Sequence, residues 1–132
     1  MTAPDEVRLA VPATPEFLRL VRVTAAGLGS RLGFNYDQVE DLRLAIDELC
    51  FSLSGASGRP GTVHVRFLVD DDTLEVVAEG YFSDGRASAP ESEWSKVILA
   101  ALVDSYELTT GPNGPAFRLS KSRSSKPPAG GE

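Results

Sequence analysis

The sequence predicts an α+β fold, a two-layer sandwich in which three helices cover one face of a mixed or mainly antiparallel β-sheet. Three observations lead to this prediction. Segments with strand or helix periodicity follow one another in the order β-α-α-β-β-α-β-β. Polar turns join most of the strands into hairpins, and each helical segment has one apolar stripe that needs cover. With 132 residues the chain is long enough for one core, and we predict a single domain over residues 1–121.

The first half of the chain contains one predicted strand and two predicted helices. Alternating apolar residues indicate a strand at 7–11. Pro15 suits the first position of a helix and Gly33 its end. Its predicted apolar face consists of Phe17, Val21, Thr24, Leu28 and Leu32. Asn35 and Gln38 have the spacing of a capping box, which predicts the start of the second helix.

The second half contains four predicted strands and one predicted helix. The strands are expected at residues 63–69, 74–78, 106–110 and 116–121. A third helix is predicted at about residues 92–105, with Trp94, Val97, Ile98, Ala101 and Leu102 on its apolar face. Trp94 is interpreted as a core anchor. From Ser122 onward the segment SRSSKPPAGGE is predicted to be a disordered tail.

Composition excludes several classes of protein. The net charge of −6 and the absence of a basic stripe disfavour a direct contact with nucleic acid. No apolar run approaches the roughly 20 residues that cross a bilayer, and the N-terminus lacks a signal-peptide pattern. We therefore expect a cytoplasmic protein that does not contact the membrane. Cys50 is the single cysteine, and its place on a helix predicts a buried packing residue.

The segment DLRLAIDELCFS, residues 41–52, is the most informative motif. Apolar residues recur at helical spacing and form one stripe: Val39, Leu42, Ile46, Leu49 and Leu53. A neighbouring stripe consists of Asp41, Ala45, Glu48 and Ser52. Because Glu48 and Ser52 are four residues apart, the helix is expected to present their side chains next to each other.

This helix, the element order and the closing segment LVDSYELTTGPNGPAFRLSK together resemble the bacterial anti-sigma factors with a serine-kinase-type ATPase domain. These belong to the GHKL superfamily, and the chain is similar to the actinobacterial general-stress and sporulation members. The resemblance covers residues 7–121 and implies a Bergerat-type sandwich. In the family, a Glu acts as base or orients water, and an Asn four residues later binds magnesium. Glu48 matches the Glu, whereas Ser52 replaces the Asn and is a weaker ligand.

The two later nucleotide motifs of the family also differ here. Ala78 takes the place of an Asp that accepts from adenine; Gly80 is kept, and Phe82 replaces a second glycine. Glu79 could replace the Asp through a one-residue shift, but its side chain is then expected on the other face of the strand. Glu93 falls where a glycine pair opens the third helix and caps the phosphates, and a carboxylate there repels triphosphate.

These differences predict that ATP hydrolysis and phosphotransfer are lost or weak in a degenerate serine/threonine kinase fold. We expect no cofactor. Mg-ATP held by Glu48, Ser52, Ala78 and Gly80 is the alternative, and with it an active serine kinase that phosphorylates an anti-anti-sigma factor.

Binding is the function that the resemblance implies. The expected partners are a sigma factor, which the protein sequesters, and an anti-anti-sigma factor of the STAS type, which releases it. A homodimer is also expected. In the family the sigma contact involves the first helix, where Arg22 matches a family arginine and Arg19 lies nearby. The other interpretation of both arginines is solvated surface charge.

Overall fold

The computed structural model describes residues 3–86 and 91–124. Its elements follow the predicted order, and their bounds are β1 (Asp5–Pro12), α1 (Pro15–Arg31), α2 (Tyr36–Ser54), β2 (Gly61–Asp70), β3 (Thr73–Phe82), α3 (Glu93–Leu102), β4 (Ser105–Thr110) and β5 (Pro115–Ser122). The predicted α+β class is confirmed.

The strands form one five-stranded sheet in the order β1-β2-β3-β5-β4. Every pairing between the described strands is antiparallel. Strand β3 extends four residues beyond its predicted end because its last residue, Phe82, pairs with Gly61 at the start of β2. Alternate residues of the central strands are buried under the helices, and their neighbours form the open face of the sheet.

Local sequence signals fix the ends of the first two helices. Asn35 and Gln38 form both hydrogen bonds of the predicted capping box, at 2.8 and 2.9 Å. Pro15 occupies the first turn of α1. Gly33, two residues beyond the last residue of α1, has a φ of 91°, a conformation that favours glycine and ends the helix.

Helix α2 supplies the centre of the core, as its apolar stripe predicts: Leu42, Ile46, Leu49 and Leu53 are all buried. The predicted face of α1 is partly wrong. Leu18, Val21, Ala25 and Gly29 are its buried residues, while Phe17 is 43% exposed. A Cβ at Gly29 would lie 2.9 Å from the Phe34 ring. The small residues of α1 therefore face inward because they allow close approach.

The apolar face predicted for α3 is also wrong. Leu99 is its only fully buried residue, and Trp94 is 72% exposed, so Trp94 is not a core anchor. The reason is position: α3 packs mainly against α2 and β4, so only a narrow side of it is covered. The helix ends at Leu102, earlier than predicted, and the buried Lys121 ammonium donates to the Leu102 carbonyl at 2.7 Å.

The described part of the predicted tail is tied to the sheet. Ser122 is the last residue of β5. The Arg123 amide donates to the Asp72 carbonyl at 2.7 Å, and the Ser124 hydroxyl donates to the Asp72 carboxylate at 2.6 Å. Residues 125–132, the rest of the predicted tail, lie outside the described residues. Among the described residues, no helix has the length and apolar character needed to span a membrane.

Candidate functional site

The polar stripe of α2 faces α3. Glu48 and Ser52 are both half-buried. The Glu48 carboxylate accepts a hydrogen bond from the Ser95 hydroxyl of α3 at 2.5 Å. The Ser52 hydroxyl donates to the backbone carbonyl of Glu48, one turn earlier, at 3.2 Å. The two side chains that the alternative interpretation assigns to Mg-ATP therefore both form hydrogen bonds within the chain.

Serine side chains also occupy the start of α3. Ser92 is its N-cap, and its hydroxyl accepts from the Ser95 amide at 3.0 Å. The Ser92 hydroxyl donates in turn to the Ser95 hydroxyl at 3.1 Å, which donates to Glu48. This cap satisfies one of the amides that bind phosphate at helix N-termini in other proteins.

Two carboxylates lie at the same helix start. Glu93 is the first residue of α3, exposed and paired with Lys96 at 3.3 Å. Glu91 precedes the N-cap. Burial raises the pKa of Tyr106 to about 12, and a hydrogen bond with Glu91 contributes to that rise. Carboxylates here take the position where the helix dipole attracts an anion, and they disfavour a triphosphate.

The end of β3 is closed by an aromatic ring. A Cβ at Gly80 would lie only 2.3 Å from the Phe82 ring, so the ring lies directly on the Gly80 backbone. Ala78 is fully buried and offers no polar atom. Glu79 points to the opposite face, as the register predicts, and its carboxylate accepts from the Asn113 amide at 2.9 Å. Glu79 therefore holds the β4–β5 turn.

Arg59 is a polar residue of this region that sequence reasoning missed. It is 8% exposed, and its guanidinium lies 4.1 Å from the centre of the Phe82 ring. It donates to both carboxylate oxygens of Asp84, at 3.1 and 2.5 Å. Further bonds reach the Leu53 carbonyl at 3.1 Å and the Arg86 carbonyl. The hydrogen bonds from Arg59 hold the pKa of the Asp84 carboxyl well below its usual range, and the hydrogen bond from the Arg86 amide lowers it further.

These contacts do not fit Mg-ATP. Glu48, at the family position of the base, is hydrogen-bonded to Ser95. Ser52, at the position of the metal ligand, is hydrogen-bonded to the backbone of its own helix. The position of the adenine acceptor is occupied by Ala78, which has no polar side-chain atom. The described residues also contain no group of three or more His, Cys, Asp or Glu side chains placed to hold a metal ion. Glu48, Ser52 and Ala78 therefore do not form a binding site that suits Mg-ATP.

The other side of α2 faces α1 across a groove with a volume of about 240 Å³. Arg19 and Arg22 both line it, so the two predicted partner residues lie at one place. Arg22 pairs with Asp47 of α2 at 3.0 Å. Its Nε atom is buried and has no hydrogen-bond partner among the described residues. Arg19 is exposed, and it has no hydrogen-bond or ion-pair partner within residues 3–86 and 91–124.

The apolar part of the groove comes from Leu18, Phe51 and Cys50. Phe51 is largely exposed at the surface. Cys50 is buried, which confirms its predicted packing role. Burial, helped by the Asp47 charge, raises the pKa of its thiol to about 12, so the thiol is unreactive at neutral pH. The groove thus combines guanidinium donors with an apolar wall.

A solved structure has the same fold as this chain. In a crystal structure of the RsbU and RsbW domains of Rv1364c from Mycobacterium tuberculosis, the matching region has a TM-score of 0.62 and 16% identity, and covers 89% of this chain and 32% of that one. This match shows the fold.

The sequence is similar to proteins named serine-protein kinase RsbW. The chain is 38% identical over 78 residues to RsbW of Bacillus pumilus and 38% identical over 76 residues to RsbW of Bacillus subtilis. Each match covers 55% of this chain and 48% of the relative, so the chain spans about half the length of these curated relatives. No family model matches the chain. The resemblance predicted from the sequence is confirmed.

Proposed function

We propose that this protein is an anti-sigma factor that binds and sequesters a sigma factor without requiring a nucleotide. One contrast carries the proposal: Glu48 and Ser52 are hydrogen-bonded within the chain, whereas the partly exposed Arg22 side chain and the exposed Arg19 line an open groove. Similarity to RsbW supports the assignment to the anti-sigma class.

In this proposal the sigma factor docks on the surface formed by α1 and α2. A partner acceptor binds the exposed part of the Arg22 guanidinium, and arginine suits such contacts because its planar head offers several donors. The bound domain covers sigma surfaces that RNA polymerase needs. An anti-anti-sigma factor of the STAS type then releases the sigma factor by competing for the anti-sigma factor.

The test is binding of the purified chain to each sigma factor encoded in the same genome, by calorimetry, with and without Mg-ATP. We expect association without nucleotide, weakened at least about tenfold by Arg22→Ala. Arg43→Ala is the matched control, since Arg43 forms an exposed pair with Glu40 on α2. The proposal fails if no sigma factor binds, or if binding appears only with Mg-ATP.

An active serine kinase is the second candidate, favoured by the name of the RsbW relatives and by Glu48 at the family position. Its substrate would be the anti-anti-sigma factor. It requires Mg-ATP binding by calorimetry and transfer of labelled phosphate to the partner, both reduced by Glu48→Gln. Absence of both removes this candidate.

We further propose that residues 1–121 act as one domain, that the protein works in the cytoplasm alongside RNA polymerase, and that it forms a homodimer. Light scattering after size exclusion measures the mass directly. The chain mass is 14.1 kDa, so a particle of that mass at micromolar concentration argues against the dimer.

A further inference from the structure

Helix α3 carries an uncovered apolar face. Trp94 is 72% exposed and Val97 62% exposed, and Ala101, one turn further along, is exposed as well. These three residues, at helical spacing, are called the Trp94 face. A helix that is apolar around most of its circumference is normally buried, yet Leu99 is the only fully buried residue of α3. Exposed apolar surface of this kind marks interaction sites.

The opposite side of α3 is firmly attached. Ser95 donates to Glu48 of α2, and the Leu102 carbonyl accepts from the buried Lys121. Leu99 packs into the core. The Trp94 face is therefore presented on a fixed helix, and a partner can cover it without displacing an internal contact.

Charge around the face selects the partner. Exposed Glu93 precedes Trp94 and exposed Asp104 follows the helix. Two ammonium groups lie nearby among the described residues: Lys96 is paired with Glu93, and the buried Lys121 donates to the Leu102 carbonyl. The whole chain has a net charge of −6. A second copy would bring two acidic rims together, which like-charge repulsion disfavours. The same charge repels nucleic acid and anionic lipid. A basic amphipathic segment of a protein is the complementary occupant.

We propose that the Trp94 face is a second docking site for the sigma factor, and that it receives a basic amphipathic helix. The proposal rests on the anti-sigma function proposed above. A protein that binds DNA carries basic segments that contact phosphate, and the acidic rim of the face attracts such a segment. The groove between α1 and α2 lies on the other side of α2, so the sigma factor contacts the domain at two separate places.

Intrinsic fluorescence tests the proposal directly, because Trp94 is the only tryptophan of the chain. Titration with a tryptophan-free variant of the cognate sigma factor should shift its emission to shorter wavelength. Val97→Asp should lower the affinity at least about tenfold, since an acidic residue replaces apolar contact area near a hot-spot residue. Tyr36→Asp is the matched control, because Tyr36 is an exposed aromatic at the start of α2. Circular dichroism verifies that each variant is folded.

Two results separate this proposal from the function on which it rests. If Arg22→Ala weakens binding while Val97→Asp does not and the Trp94 emission stays unchanged, the second site is refuted and the anti-sigma function stands. If no sigma factor binds the unaltered chain, both are refuted. A loss of affinity with Val97→Asp and an emission shift together support the proposal.

Discussion

Helix α2 has a polar side toward α3 and another toward α1, and the two sides differ in how their polar groups are satisfied. Toward α3, Glu48 accepts from Ser95, and Ser52 donates to the α2 backbone. Toward α1, Arg22 has a buried Nε without a described partner, and its ion-pair partner Asp47 is 47% exposed. Polar groups satisfied internally stabilise a fold, whereas a buried donor without a partner lowers its stability. The α3 side therefore contributes to stability, and the α1 side is the one proposed to bind a partner.

Truncating a core side chain of α2 should have the largest effect on the free energy of unfolding, because α2 supports both its α1 side and its α3 side. Leu49 of α2 is fully buried, and Leu49→Ala should lower the free energy of unfolding by about 3 kcal/mol because it leaves a cavity. Urea denaturation followed by circular dichroism measures the change. Leu44→Ala, at an exposed position of the same helix, should change it by less than about 0.5 kcal/mol. Similar losses for both variants would contradict the core position of Leu49.

Removing the hydrogen bond between α3 and α2 should lower the free energy of unfolding by a smaller amount. Ser95→Ala removes the hydroxyl that donates to the half-buried Glu48 carboxylate, and we expect a loss of about 1 kcal/mol in unfolding free energy. A double-mutant cycle with Glu48→Ala isolates the pair. If the two single changes are additive within error, Glu48 and Ser95 do not interact in solution.

Removing the ion pair between α1 and α2 should leave the free energy of unfolding nearly unchanged. Arg22 and Asp47 form a partly exposed pair, with side chains 27% and 47% exposed. Such pairs contribute roughly 0–1 kcal/mol, further reduced by solvent screening. We expect Arg22→Ala to change the unfolding free energy by less than about 0.5 kcal/mol while it weakens partner binding. A loss of stability as large as that of Ser95→Ala would show that Arg22 is a structural residue.

Stability in the acid range should depend on Asp84. Its pKa is lowered in the folded state, chiefly by Arg59, so its contribution to stability is complete above the unfolded-state pKa of about 4. The contribution is lost as the pH falls below that value toward the folded-state pKa. We expect the melting temperature of Asp84→Asn to fall less steeply than that of the unaltered chain between about pH 4 and 2. Asp71→Asn, in the exposed β2–β3 turn, is the control. Parallel pH curves would contradict the Arg59 pairing.

The sequence predicted the elements that depend on local chemistry. The leucines of α2 recur at a spacing that only one helical face satisfies, and Asn35 with Gln38 is a local cap, so both appear as predicted. The faces of α1 and α3 depend on which neighbours approach. The close contact at Gly29 and the sheet-edge position of α3 leave Phe17 and Trp94 exposed.

The candidate site was predictable only in part. Glu48 and Ser52 share a helix, and their adjacency follows from spacing. The partner of Glu48 is 47 residues away in the chain, and the Arg59–Asp84 pair is separated by 25 residues. Such contacts follow from sheet register and helix docking, which periodicity in one sequence does not specify. Arg59 carried no local signal of its own.

The Phe82 ring on Gly80 also limits what a single substitution at this end of β3 can achieve. Shrinking Phe82 alone would open a space beside Gly80 and would remove the ring under the Arg59 guanidinium, while Ala78 would still offer no side-chain acceptor for a base. Adding an acidic side chain at Ala78 alone would bury an unpaired carboxylate. Each single step toward a nucleotide pocket therefore costs stability before it gains a ligand. A nucleotide pocket at this end of β3 would therefore require changes at Phe82 and Ala78 together.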